Sequence, residues 1–180
     1  MKGGKAIETS MGLTPLPGLV MGTRSGDIDP SIYTFLHDAT DMSITEIDTV
    51  LNKQSGLKGL CGDNDLRIID DRIARDDAEA RTALAVYTHR LRHYLGAYAF
   101  TLGRLDLVVF TAGVGENSAL VRAEATRGLE HFGLQLDEGR NARRATTSRV
   151  ISADDSPVTI MVVPTNEELA IARKAQKLVG

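Results

Sequence analysis

LDLVVFTAGVGEN, residues 105–117, decides how this chain is read. The continuous apolar run LDLVVF fits a strand covered on both faces, the kind found inside α/β sheets. It ends abruptly in Ala112-Gly113-Val114-Gly115-Glu116, after which Val121, Ala125, Gly128, Leu129 and Phe132 recur at helical spacing. The unit is therefore a strand, a glycine turn and a helix. Glycines clear side chains from such a turn and the helix start adds backbone N–H groups and partial positive charge, which suits a phosphate or a nucleotide lying against the backbone. The motif is incomplete by the usual rules. Ser118 stands where the G-x-G-x-x-G/A dinucleotide fingerprint has a small apolar residue, and the lysine of a G-x-x-x-x-G-K-S/T loop is missing. On its own the stretch is explained equally well as a tight strand-to-helix turn.

Working outward, Asp76 and Asp77 open the longest helical pattern, with Ala80, Leu84, Tyr87, Leu91, Tyr94, Tyr98 and Leu102 on one stripe and Gly103 as the stop. Three tyrosines on such a stripe read as core. Toward the C-terminus, residues 140–149 read as a polar, irregular connection, VTIMVVP (158–164) as a second buried strand, and TNEELAIARKAQKLV (165–179) as a closing helix capped by Asn166. Toward the N-terminus, Ser43-Ile44-Thr45-Glu46 is a capping box ahead of Ile47, Val50 and Leu51, and Asp29-Pro30 starts a helix with Ile32, Phe35 and Leu36 on its apolar face. Residues 12–29 hold too many prolines and glycines for regular structure, and QSGLKGLCGDND (54–65) reads as glycine-rich loop. Alternating helix and strand predict an α/β fold with a partly parallel sheet, as one partial domain over residues 1–180. Gly3-Gly4 between Lys2 and Lys5 predicts a hairpin turn whose second strand is AIET, so the chain starts inside a supersecondary unit and reads as a piece of a longer protein.

Composition sets outer limits. A net charge of −3, from 21 basic and 24 acidic side chains, offers no positive field for nucleic acid or anionic lipid. Cys61 is the single cysteine and has no internal disulfide partner, and no signal-like or membrane-spanning apolar run is present. A cytoplasmic protein is expected.

Two further stretches carry candidate chemistry. Met21-Gly22-Thr23-Arg24-Ser25-Gly26-Asp27 sets an arginine among glycines, where its planar fork can meet a phosphoryl group or carboxylate. A surface Arg24–Asp27 pair is the plainer reading. Pro164-Thr165-Asn166-Glu167-Glu168 places carboxylates at a strand end and helix start, where Mg²⁺ with substrate phosphates is one use and helix capping the commoner one. His89 and His93, four apart on the long helix, read as a solvated face. Arg140, Arg143, Arg144 and Arg149 read as part of a polar connection, and Cys61 as structural.

Together, TSMGLTPLPGLVMGTRSGDIDP (9–30), FTAGVGEN (110–117) and PTNEELAIAR (164–173) strongly resemble the acetate and propionate kinase family, in its C-terminal portion. The resemblance implies the nucleotide-binding domain of the actin, sugar-kinase and Hsp70 superfamily, ribonuclease H-like and incomplete at its N-terminus. It implies transfer of the γ-phosphoryl of ATP to a short-chain carboxylate, with Mg²⁺ as cofactor. By position, Ala112, Gly113, Val114, Gly115 and Glu116 match the residues that line ATP, with Ala112 where the family usually has glycine. Asp65, Leu66 and Arg67 match the second nucleotide segment, Arg24 the arginine that stabilises the transferring phosphoryl, Glu167 the glutamate that helps hold Mg²⁺, and Pro15 a proline near the pocket for the acid's methyl group. Family members are more than twice as long, and the acid-binding arginine, catalytic aspartate and first phosphate loop belong to the part not matched here. The resemblance thus implies inactivity in isolation, or a separate N-terminal portion as partner, or a non-catalytic fragment that binds nucleotide or forms the family's homodimer. A Rossmann dehydrogenase is the distant third expectation.

Overall fold

The computed structural model describes residues 1–179, which gather into two compact units, residues 1–105 and residues 106 onward. The sequence alone leads to the expectation of one partial domain. Apolar periodicity marks which residues leave water and is silent on how many separate cores they build.

The first unit is helical. It opens on Gly3 and Gly4, both at positive φ, in a two-residue turn closed by reciprocal Lys2–Lys5 backbone bonds. The predicted AIET strand does not form, and residues 6–9 are exposed and outside any ladder. Residues 10–29 are irregular, as the breakers predict. Helix α1 (Ile32–Thr40) begins after a turn in which Asp29 accepts from the backbone of Ser31. It buries no residue, and the expected apolar face leaves Phe35 exposed. Helix α2 (Ile44–Lys53) starts on the Ser43–Glu46 capping box and buries Ile47 and Leu51, four apart on one face.

The stretch expected as glycine-rich loop contains a helix, α3 (Gly56–Cys61), with Leu57 and Cys61 buried. Burial of that pair, which lines one core with Ile69, Ala80 and Ala83, outweighs the weak helix propensity of glycine. Helix α4 (Leu66–Ala74) follows, capped by Asp65, and contributes Ile69. Helix α5 (Ala78–Leu102) is capped by Asp77 and ends at Gly103 in the left-handed conformation. All of its buried residues (Ala80, Ala83, Leu84 and Thr88) lie in its first half. The tyrosine stripe is accordingly not one core surface. Tyr87 packs against the cluster, whereas the Tyr94 hydroxyl donates to Asp27 at 2.5 Å, because a phenol leaving bulk water needs a partner.

The second unit holds a three-stranded sheet of order β1-β3-β2, where β1 is Leu107–Phe110, β2 is Arg149–Val150 and β3 is Thr159–Val162. Strands β1 and β3 are parallel, with Phe110 opposite Val162, and β2 runs antiparallel to β3. Ile160 and Val162 in the central strand are fully buried. Strand β1 corrects the expectation of burial on both faces: Val108 and Phe110 are buried, but Leu107 and Val109 are each 45% exposed. Such a strand needs a layer on each side, and the described residues cover one.

Residues 112–117 form a short helix, α6 (Ala112–Asn117), rather than an open loop. Helix α7 (Ala119–Thr126) is capped by Ser118 and stops short of the predicted Leu129 and Phe132, because Gly128 adopts positive φ and a 3₁₀ turn (Glu130–Phe132) follows. Helix α8 (Glu138–Ala142) and β2 take only the two ends of the region expected to be irregular, and residues 143–148 between them are irregular as predicted. Helix α9 (Glu167–Val179) closes the chain, with Asn166 Oδ1 accepting from Leu169 N at 2.9 Å as predicted.

Candidate functional site

In the first unit the Arg24 turn rests on a helix start. The opening N–H groups of a helix have no partner within it. Here Ser55 N donates to Thr23 O (3.0 Å), Leu57 N to Met21 O (2.9 Å) and Lys58 N to Gly22 O (2.9 Å), so the carbonyls of the turn take the place of a side-chain cap on α3. Gly56 makes this possible. Its φ is +61°, and a Cβ there would lie 2.1 Å from Met21 O and 2.7 Å from Arg24 O. The turn borders a groove of about 640 Å³ whose lining includes Thr14, Met21, Thr23, Arg24, Lys53 and Asn64. Arg24 has no carboxylate partner among the described residues; its guanidinium touches Met21 Sδ at 4.0 Å. The plain Arg24–Asp27 pair does not form. Asp27 instead accepts from Gly18 N (2.7 Å) and Tyr94 Oη, with Arg90 at 3.5 Å, and this fixes the far end of the turn. Tyr94 is pushed up to about 12, first by its hydrogen bond to Asp27.

Asn64 leads from this groove into the second predicted segment, its side chain lying close to Gly22. Asp65 accepts from Arg67 N (2.9 Å) as the cap of α4 and pairs with the Arg67 guanidinium at 2.5 Å. The Arg67 hydrogen bonds hold the Asp65 carboxyl at about 2. The Arg67 side chain is 90% exposed and open to a ligand. Pro15 is exposed and outside the groove lining, which its neighbour Thr14 joins.

In the second unit the other candidates converge at the carboxyl ends of β1 and β3, where ligands of open α/β sheets bind. Val163 N donates to Phe110 O (2.9 Å) and Thr111 Oγ1 to Val163 O (2.7 Å), so the two strand ends leave the sheet side by side. Glu116 Oε1 accepts from Thr165 N (2.9 Å) and Thr165 Oγ1 (3.0 Å). That ties the glycine turn to the segment that starts α9 with Glu167, two stretches far apart in sequence. These bonds, the Thr165 N–H foremost, hold the Glu116 carboxyl below the usual range, with a smaller contribution from the Ala112 N–H.

The two glycines differ in use. A Cβ on Gly113 would meet nothing within 4 Å, whereas one on Gly115 would press on the Phe110 carbonyl carbon at 3.1 Å. Ala112 sits at φ +59°, a conformation that suits glycine.

Sequence reasoning missed Arg122. It lies inside α7 at 1% exposure, donating to the carbonyls of Gly115 (2.9 Å) and Glu116 (3.1 Å) and to Asn141. The available signal was the row Ser118, Arg122, Thr126, polar residues four apart beside the apolar Val121 and Ala125, all of them buried. His89 and His93 are exposed, and Cys61 is buried with its thiol donating to Leu57 O.

Glu167 is exposed at the first position of α9. Among the described residues no three His, Cys, Asp or Glu side chains gather into a metal cage. A single carboxylate there fits Mg²⁺ in the way nucleotide sites use it, with phosphate oxygens and water completing the shell.

A sequence profile of the Acetokinase family matches residues 1–173. The chain belongs to the acetokinase family. Acetate kinase of Lawsonia intracellularis is 53% identical over the whole chain and that of Streptomyces avermitilis 54%, the chain covering 45% and 44% of those proteins. Among solved structures, Porphyromonas gingivalis acetate kinase superposes with a TM-score of 0.88 at 41% identity, over 95% of this chain and 43% of that one. A propionate kinase from Francisella tularensis superposes at 0.84 with 44% identity, over 91% of this chain and 42% of its own. This acetokinase chain therefore has the α/β fold of the actin, sugar-kinase and Hsp70 superfamily, and spans under half the length of the relatives it matches.

Proposed function

We propose that this chain is the nucleotide-binding portion of a kinase that transfers the γ-phosphoryl of ATP reversibly to a short-chain carboxylate, such as acetate or propionate, giving an acyl phosphate. The observation that carries the reading is the β1–α6 turn. Its sequence resembles the family's nucleotide loop, and it lies at the carboxyl ends of two parallel strands beside the start of α9.

In this reading the backbone of Ala112, Gly113, Val114, Gly115 and Glu116 lies along the nucleotide, and the open face at Gly113 gives the phosphates room. Asp65, Leu66 and Arg67 contribute the second nucleotide contact, with the exposed Arg67 fork as its charged end. Arg24, without a carboxylate partner among the described residues, directs its guanidinium charge to the transferring phosphoryl. Phosphoryl transfer is catalysed chiefly by positioning and neutralisation of charge, and a permanently ionised planar donor on a pinned turn suits both. Bound Mg²⁺ would supply further neutralisation of phosphate charge, and Glu167 is the residue that would help hold it. Pro15 would border the acid's methyl group.

The test is nucleotide binding by calorimetry together with acyl-hydroxamate formation from Mg-ATP and acetate or propionate. Both are run on this chain alone and mixed with a separately expressed N-terminal portion of an acetate kinase. ATP binding by the chain and turnover only in the mixture are expected. Turnover by the chain alone would show that the acid site is supplied within these residues. Binding without turnover in either case favours the second reading, a nucleotide-binding or dimerising fragment, which the partial coverage of the relatives supports.

A further inference from the structure

We infer that Arg122, together with Asn141, is the positioning residue that holds the 112–117 turn in the shape that receives nucleotide phosphates, an inference that rests on reading that turn as the nucleotide site. Arg122 is the largest of the fully buried side chains, and among the described residues it has no carboxylate partner. Its bonds go to uncharged acceptors in two segments: Nε to Asn141 Oδ1 (2.7 Å), Nη2 to Asn141 O (2.8 Å), and Nη1 to the carbonyls of Gly115 and Glu116.

Burying a guanidinium is unfavourable unless its hydrogen bonds are satisfied, and an apolar side chain would fill the same volume without that penalty. What an apolar side chain cannot do is bond to four acceptors at once in a rigid planar fork. Two of the four are carbonyls in the last turn of α6, where a positive charge is also favoured by the helix dipole. The turn is thus gripped twice at Glu116, by Arg122 at its carbonyl and by Thr165 at its carboxylate. Asn141 is anchored independently, because it is buried and its Nδ2 donates to Ala119 O at 2.9 Å. Burial, and then Arg149, lower the Arg122 guanidinium to about 10, so it stays charged at neutral pH.

The experiment compares the unaltered chain with Arg122→Lys, Arg122→Gln, Asn141→Ala and, as a control in the other core, Ile69→Val. Amide hydrogen exchange at residues 112–117 and the ATP dissociation constant are read for each. Leaving the part-buried carbonyls of Gly115 and Glu116 without this partner is expected to speed exchange in the turn and weaken ATP binding by about tenfold. Arg122→Lys, which keeps the charge but loses the fork, should recover part of the loss. Ile69→Val should lower overall stability and move neither readout. Unchanged exchange in both Arg122→Lys and Asn141→Ala would overturn the tether, and Asn141→Ala alone decides it where the Arg122 variants fail to fold. Faster exchange in the variants with no ATP binding by the unaltered chain would keep the tether and overturn its link to nucleotide.

Discussion

Two glycine-containing turns carry the candidate chemistry, and they are held by different means. The Arg24 turn is held chiefly by backbone, its carbonyls accepting from the first N–H groups of α3, with the Asp27 carboxylate fixing only its far end. The 112–117 turn is held by side chains: Arg122 on its carbonyls, Thr165 on the Glu116 carboxylate, Thr111 on Val163. The consequence is a difference in what each tolerates. A backbone-held turn depends on close approach and therefore on a glycine in the helix it rests on. A side-chain-held turn depends on charge and protonation.

The hardest test of this contrast is Gly56→Ala. The new methyl would be strained by the positive φ and would overlap Met21 O. With ~1–2 kcal/mol for the left-handed conformation and ~1–3 kcal/mol for displaced packing, a loss of about 3 kcal/mol is expected. Urea unfolding of the chain measures it, and native-like stability would break the claim that this contact positions Arg24. A smaller effect of opposite sign is expected at Ala112, a non-glycine residue at positive φ. Ala112→Gly should stabilise the chain by about 0.5–1 kcal/mol, the relief of strain exceeding the added freedom of the unfolded chain.

The subtlest effect is on pH. The folded pKa of Glu116 lies below its ordinary 4.5, so its contribution to stability is fully present above that value and is lost as pH falls through the depressed folded pKa. Thr165→Val, which removes the hydroxyl donor, should move the Glu116 titration upward in a carboxyl-detected NMR experiment. An unmoved titration would mean that the Thr165 N–H alone holds the carboxylate.

Much of this was legible beforehand where one local cause dominates. The Ser43–Glu46 box, the Asp77 and Gly103 ends of α5, the Asn166 cap and the strands β1 and β3 each follow from a few neighbouring residues. The misreadings share another cause. Gly56, Gly59 and Gly62 resemble a loop when only local propensity is weighed, yet burial of Leu57 and Cys61 makes a helix between them. LDLVVF promised burial on both faces, but burial depends on the layers available, which a strand's own residues do not encode. Arg122 went unnoticed because nothing adjacent in sequence predicts that Asn141 and the end of α6 will meet it.

Taken by itself, the sequence determined the α/β alternation, most helix ends, and the family, since these depend on residue order over short spans and on long matched strings. Only the tertiary structure decided that Glu116 meets Thr165, that Gly56 supports the Arg24 turn and that Arg122 is buried. Each of these joins residues distant along the chain, and their free energy comes from excluding water and satisfying polar groups in three dimensions, which no local pattern records.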